Sequence, residues 1–209
     1  WFGDIPARGI RARRLPLVPR QHEAHTLEVV RPVPLDALYK CWHAPSVSEP
    51  GYRECDLMTD LLAGGRSARL FQRLVKERLL FSGLDIYVGG EAEVSAGSIQ
   101  FTGKPVVGVS LEEAEQGLNE ELARFVSEEV SAEELQKVKN KYESAYLFRN
   151  TNCQHVATQL CWYETVSCAE NYLDDCKLTL GVTPASIRET AEQVFRPENC
   201  STLYYRCQQ

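Results

Sequence analysis

Apolar and polar positions change their spacing along this chain, and the spacing separates strands from helices. In one group of segments polar and apolar side chains partly alternate, and β-branched and aromatic residues are frequent, as in half-buried strands. A turn near Pro34 divides the first two of these segments. The predicted strands cover residues 26–33, 35–43, 84–88, 99–109 and 201–207.

In the other segments apolar residues recur every three or four positions, as on amphipathic helices. Gly64 and Gly65 end the first helix, because glycine best tolerates the conformation in which helices stop. Ser67 is placed to cap the next helix, and Ser110 with Glu113 and Ser131 with Glu134 have the spacing of capping boxes at the starts of two long helices. The predicted helices cover residues 52–62, 111–129, 132–150, 153–168, 171–179 and 185–195, with a further one directly after Ser67.

The order of these elements predicts the fold class. Two strands, two helices, two strands, several helices and a closing strand lack the strand–helix–strand alternation of a parallel sheet. We therefore predict an α+β fold, with an antiparallel sheet packed on one face by several α-helices. Residues 1–24 carry three prolines among five arginines and predict an extended connector, so that residues 25–209 form a single domain.

Composition excludes two classes of partner. The formal net charge of -6 repels phosphate backbones, which argues against nucleic acid. Apolar stretches fall far short of the roughly 20 residues that span a bilayer, which argues against a membrane segment. Eight cysteines show no Cys-x-x-Cys spacing, and the four from Cys153 to Cys176 recur every seven or eight residues, so we predict mostly buried thiols.

No cluster of residues predicts catalysis or metal binding. His22 and His25 lie in the connector, where nothing would fix their rings around a metal. The turn Gly64–Gly65–Arg66 admits two interpretations, an anion site or simply a glycine helix stop, and the second is the stronger. We assign no catalytic residue and no metal ligand.

Three segments carry a family resemblance: Trp1-Phe-Gly-Asp-Ile-Pro6, the stretch from Asp56 to Glu77 with its Gly-Gly-Arg-Ser-Ala-Arg-Leu turn, and Pro197-Glu-Asn-Cys200. Together they resemble the insulinase/pitrilysin zinc peptidases, in the domain that follows the zinc-binding domain. The resemblance implies the half-domain fold of mitochondrial processing peptidase-like metallohydrolases. It also implies that Gly64, Gly65 and Arg66 form the turn between two helices.

The family's zinc motif, His-x-x-Glu-His, is absent from this sequence. The resemblance therefore implies that zinc is held by a domain upstream of Trp1, and the start without Met fits a piece of a longer chain. Family members often carry an Arg and, seven residues later, a Tyr that reach the substrate. Val75 and Ser82 stand at those positions here and are the expected substrate-facing residues.

Two functions follow as expectations. In the first, the parent protein is a zinc metalloendopeptidase and this domain, inactive alone, forms part of the chamber around peptide substrates. Its partners would be the zinc-binding domain of the same polypeptide, the peptide and, in some assemblies, a second copy. In the second, the parent is a zinc-less structural relative, like core subunits of respiratory complexes. The cysteines slightly favour the cytoplasm over the periplasm.

Overall fold

The computed structural model describes residues 3–6, 9, 18–89 and 96–208. Half of the connector predicted for residues 1–24 lies outside these ranges. The Gly-, Ala- and Ser-rich segment 89–98 predicts a turn, and its residues 90–95 also lie outside them. The strands are β1 (His25–Arg31), β2 (Ala37–Ala44), β3 (Phe81–Gly89), β4 (Gly97–Pro105) and β5 (Cys200–Cys207). The α-helices are α1 (Tyr52–Ala63), α2 (Leu111–Ser127), α3 (Ala132–Arg149), α4 (Cys153–Val166), α5 (Asn171–Leu180) and α6 (Pro184–Val194), with a π-helix at Phe71–Glu77 and a 3₁₀ turn at Pro197–Asn199.

The five strands form one sheet in the order β1-β5-β2-β4-β3. All neighbouring strands are antiparallel except β1 and β5, which run parallel. The last strand of the chain therefore inserts between the first two, and β1 and β2 do not form a hairpin. The predicted α+β class, with helices on one face of the sheet, is confirmed.

Buried and accessible residues alternate along the central strands, and this alternation explains why helices pack on one face of the sheet. In β4 every second residue is buried, and Ile99 and Phe101 are fully inaccessible. Leu38 and Trp42 of β2 project from the same face. Because successive strand residues point to opposite faces, one face forms the core floor and the other is left to solvent or to a partner.

Helices α1, α2 and α6 and the π-helix pack on this buried face. Helix α5 packs on α1 and α3, and α4 packs on α5. The Trp42 ring contacts Phe195 edge-on at 5.3 Å between ring centroids, and Phe195 contacts Phe125 of α2 at 6.5 Å. This chain of rings joins β2, the end of α6 and α2 in one aromatic contact series.

Two of the N-caps predicted from the sequence are present in the structure, and one is not. The hydroxyl groups of Ser110 and Ser131 accept the backbone N–H groups of Glu113 and Glu134, as predicted for N-caps. The prediction that Ser67 caps a helix was wrong. Its hydroxyl instead accepts from Nζ of Lys137 at 2.5 Å, and the π-helix has no side-chain cap.

Two strand boundaries also moved. The strand predicted for residues 99–109 ends at Pro105, because Gly108 adopts φ 94° and the N–H of Val109 donates to the carbonyl of Val106 in a tight turn. The strand predicted for residues 84–88 begins earlier, at Phe81, with a β-bulge before Gly83.

The predicted stripe of buried cysteines was wrong. Cys153 and Cys161 are exposed, Cys168 and Cys176 are only half-buried, and the buried thiols are Cys55 and Cys200. Helix α4 buries Tyr163 alone among its residues, so its cysteines face outward rather than the core. Among the described residues, no helix is both long and apolar enough to cross a bilayer.

A buried ion pair lies beneath the sheet. Nζ of Lys40 in β2 donates to a carboxylate oxygen of Glu115 in α2 at 2.5 Å and to Asn119 at 2.9 Å. The hydroxyl groups of Tyr204 and Thr202 in β5 donate to the same carboxylate. Burial raises the pKa of Glu115, but hydrogen bonds from Lys40, Tyr204 and Thr202 outweigh it and hold the pKa below its usual range.

Because this pKa is depressed, Glu115 stabilises the fold above its ordinary value of 4.5, and that contribution disappears as the pH falls through the folded-state pKa. We expect Glu115→Gln to lower the free energy of unfolding by about 3 kcal/mol at neutral pH, since it leaves Lys40 buried without its counterion. The deficit should shrink below about pH 4 in urea titrations. The exposed Glu113→Gln on the same helix is the control; an equal loss there, or a pH-independent deficit, contradicts the account.

Candidate functional site on the uncovered face of the sheet

Within residues 18–89 and 96–208, helices cover only one face of the sheet. The strand register arranges the side chains of the other face, here called the uncovered face, in rows across the five strands. One row runs His25, Ser201, Cys41, Gln100 and Tyr87; the next runs Leu27, Leu203, Tyr39, Thr102 and Asp85; a third runs Val29, Tyr205, Ala37, Lys104 and Gly83.

The uncovered face is apolar over β1, β5 and β2. Leu27 is 61% exposed and Tyr39 39% exposed, and between them Leu203 is half-buried. The rings of Tyr39 and Tyr205 meet edge-on at 6.5 Å between centroids. A contiguous apolar surface of this kind is typical of a contact with another protein surface.

Over β3 and β4 the same face is polar. A shallow depression of about 330 Å³ lies against Tyr39, Gly83, Asp85 and Lys104. A side-chain atom added at Gly83 would meet nothing within 4 Å, so the backbone of β3 is accessible there. The hydroxyl of Tyr87 donates to Gln100 at 3.0 Å and thereby fixes the amide of that residue.

The uncovered face has no activated nucleophile. Burial raises the pKa of the Cys41 thiol, only partly offset by a hydrogen bond from Ser98, so the thiol stays protonated. Among the described residues, no group of three or more His, Cys, Asp or Glu side chains could hold a metal ion. His22 and His25 are both exposed beside β1. The accessible side chains of this face are suited to binding and orienting a partner.

The two expected substrate-facing residues lie in different environments. Val75 lies on the π-helix and is half-buried against the core. Ser82 is exposed at the β-bulge of β3, an edge strand of the sheet, and its hydroxyl donates to the carbonyl of Lys104 at 3.0 Å. The structure does not bring the two together on one surface, and their contact with substrate stays a prediction.

The turn Gly64–Gly65–Arg66 lies between α1 and the π-helix, and it is exposed. Gly65 adopts φ 148°, which favours glycine. Nζ of Lys141 donates to the carbonyl of Gly64 at 3.1 Å and to Asp60 at 2.6 Å, which fastens the turn to α3. These contacts give the turn a structural role; no bound anion is needed to explain them.

Reasoning from the sequence missed the uncovered face as a candidate site. Its members come from five strands spread from His25 to Cys207, and only the parallel pairing of β1 with β5 brings Leu27 beside Leu203. The available signal was the second, outward-facing set of apolar residues in β1 and β5, which alternation alone cannot assign to a face.

The described residues thus form a one-sided α+β domain with an apolar surface on its uncovered face, and no cluster of His, Cys, Asp or Glu among them could hold a metal ion. A family model described as the peptidase M16 inactive domain matches residues 1–142. The chain belongs to this family. No curated protein matches the sequence.

Solved structures share the fold at low identity. A protease from Helicobacter pylori superposes with a TM-score of 0.88 at 18% identity, over 98% of this chain and 50% of that one. An inactive peptidase domain from Bordetella parapertussis gives 0.77 at 19% identity, over 87% of this chain and 95% of that domain. The periplasmic protease PqqL from Escherichia coli superposes with a TM-score of 0.74 at 17% identity, over 99% of this chain and 24% of that one. The chain thus spans about half of the Helicobacter protein.

Leu79 lies between the π-helix and β3, and its backbone conformation can be tested by substitution. It adopts φ 52°, a left-handed conformation that costs a β-carbon-bearing residue about 1 kcal/mol, and its side chain is 62% exposed. We expect Leu79→Gly to raise the free energy of unfolding by about 1 kcal/mol in urea titrations. Leu173→Gly, at an equally exposed leucine inside α5, should lower it by about 1 kcal/mol. Destabilisation by both changes would show that Leu79 is not strained.

Proposed function

We propose that this domain is the non-catalytic half of a zinc metalloendopeptidase. It pairs through its uncovered face with the zinc-binding domain of the same polypeptide, and the two enclose peptide substrates in a chamber. Family membership supports the peptidase context. The observation that carries the assignment is the apolar half of the uncovered face, whose side chains remain accessible beside a fully formed core.

The uncovered face has an apolar part over β1, β5 and β2 and a polar part over β3 and β4, and this division supports a separate role for each part. The apolar surface formed by Leu27, Tyr39, Leu203 and Tyr205 suits a lasting contact between domains, because burying it releases ordered water over a large area. The shallow depression beside Gly83 suits transient contact with an extended peptide. The edge of β3 has unpaired backbone groups that can add a substrate strand.

The proposal assigns zinc and catalysis to the other domain. None of the described residues forms a metal group, and the cysteine and tyrosine side chains with shifted pKa values keep their protons. Zinc-bound water would then be activated outside this chain. The domain contributes to turnover by shaping and closing the chamber, which makes its effect on rate indirect.

Opposite faces of β1 provide a matched test in the full-length protein. Leu27 projects from the uncovered face and Val30 from the other face of the same edge strand, and both are exposed, at 61% and 49%. We expect Leu27→Asn to weaken domain pairing and to lower kcat/KM for a fluorogenic peptide library at least tenfold, with zinc content unchanged. Val30→Asn should leave the strength of domain pairing and kcat/KM within about twofold of the wild-type values.

Equal activity of the two variants would remove the uncovered face from the proposal. Zinc analysis of the wild-type full-length protein separates the two candidate functions. One zinc per chain with peptide hydrolysis supports the peptidase; no stoichiometric zinc and no hydrolysis would establish the structural, zinc-less alternative instead.

A further inference from the structure

A cavity of about 320 Å³ opens among α1, α3, α4 and α5, in the helical layer rather than on the uncovered face. Helix α5 packs on α3 and α1 there, and α4 packs on α5. The volume lies at the lower end of the range for small-molecule sites. The proposed pairing through the sheet does not use this cavity.

The floor of the cavity is a fixed polar network around Asp175. A guanidinium nitrogen of Arg53 donates to one carboxylate oxygen at 2.9 Å, and the hydroxyl of Tyr142 donates to the other at 2.5 Å. The charge of the same carboxylate also acts on the hydroxyl of Tyr163. Burial, followed by the charge of Asp175, raises the pKa of Tyr142 and of Tyr163, so both remain protonated donors.

Aromatic rings form the walls. Tyr172 lies between Tyr146 and Tyr163, with ring centroids 5.8 and 5.5 Å away, and the Trp162 ring meets Tyr163 edge-on at 5.0 Å. All four residues line the cavity. The Tyr172 hydroxyl donates to Asn150 at the end of α3, and the Tyr146 hydroxyl donates to the carbonyl of Tyr172 at 3.4 Å. The rings are therefore held in place and cannot collapse into the space.

Helix α4 contributes polar side chains to the rim of the cavity. His155 and Gln159, one helical turn apart, line the cavity together with the aromatic Trp162 and Tyr163 of the same helix. Arg149, at the end of α3, lies on the same rim, and its guanidinium makes a hydrogen bond to the backbone carbonyl of Ala145.

We propose that this cavity binds an aromatic carboxylate, with the ring against Tyr146 and Trp162 and the carboxylate directed to Arg149 and His155. The planar guanidinium offers paired donors to a carboxylate, and aromatic walls favour a flat apolar body. Asp175 does not repel a bound carboxylate strongly, because the Arg53 guanidinium and the Tyr142 hydroxyl compensate its charge.

Two sources could supply this chemistry: a free aromatic acid, or the carboxy-terminal residue of a peptide. The test uses N-acetyl-phenylalanine, N-acetyl-phenylalaninamide, and a pentapeptide ending in phenylalanine as the acid or the amide. Binding to the ¹⁵N-labelled 209-residue chain is followed by NMR through the indole N–H of Trp162, which Trp162→Phe identifies. We expect saturable shifts with the acid and at least about tenfold weaker binding of the amide.

Arg149→Gln should weaken binding of the acid about tenfold and leave binding of the amide unchanged, which a merely structural effect would not do. Arg188→Gln is the matched control, because Arg188 is an exposed arginine of α6, away from the cavity. A pentapeptide acid that binds as tightly as N-acetyl-phenylalanine identifies a peptide terminus; a pentapeptide that does not bind identifies a free acid. Equal binding of acid and amide, an unchanged Arg149→Gln affinity, or no saturable shift at millimolar concentration would overturn the proposal.

Discussion

Burial of one face of the sheet is the constraint on which the rest of this structure depends. Ile99 and Phe101 of β4 and Leu38 of β2 are fully inaccessible, and helices can cover them only from one side. The aromatic contacts from Trp42 through Phe195 fix the position of α6 against that floor. Because neighbouring strand residues point to opposite faces, the same alternation that builds the core creates the uncovered face.

The difference between the buried and the uncovered face of the sheet underlies the proposed function. The buried face holds an ion pair, Lys40 with Glu115, in a network of hydrogen bonds. The uncovered face has accessible apolar and polar surface but no activated group among the described residues. A domain with this division can position a partner and a peptide, and in the proposed assembly the bond-breaking chemistry belongs to a different domain. Membership of the inactive-domain family fits that division.

The sequence predicted what depends on local interactions. The caps at Ser110 and Ser131 and the ends of the long helices follow from a few adjacent residues. Pairing between distant segments was not predictable: β1 with β5, or Arg53 with Asp175, joins residues that share no local pattern. The cysteine stripe failed for the same reason, since the face that a helix buries is decided by its neighbours, and α4 turns polar side chains inward.

The claim that the uncovered face is the contact with the zinc-binding domain can be tested most directly by oxidative footprinting of the full-length protein beside the 209-residue chain. The account predicts protection of Leu27, Tyr39 and Tyr205 in the full-length protein, with Leu173 and Leu178 of α5 equally reactive in both. Protection confined to the α5 leucines, with Tyr39 and Tyr205 unchanged, would contradict it.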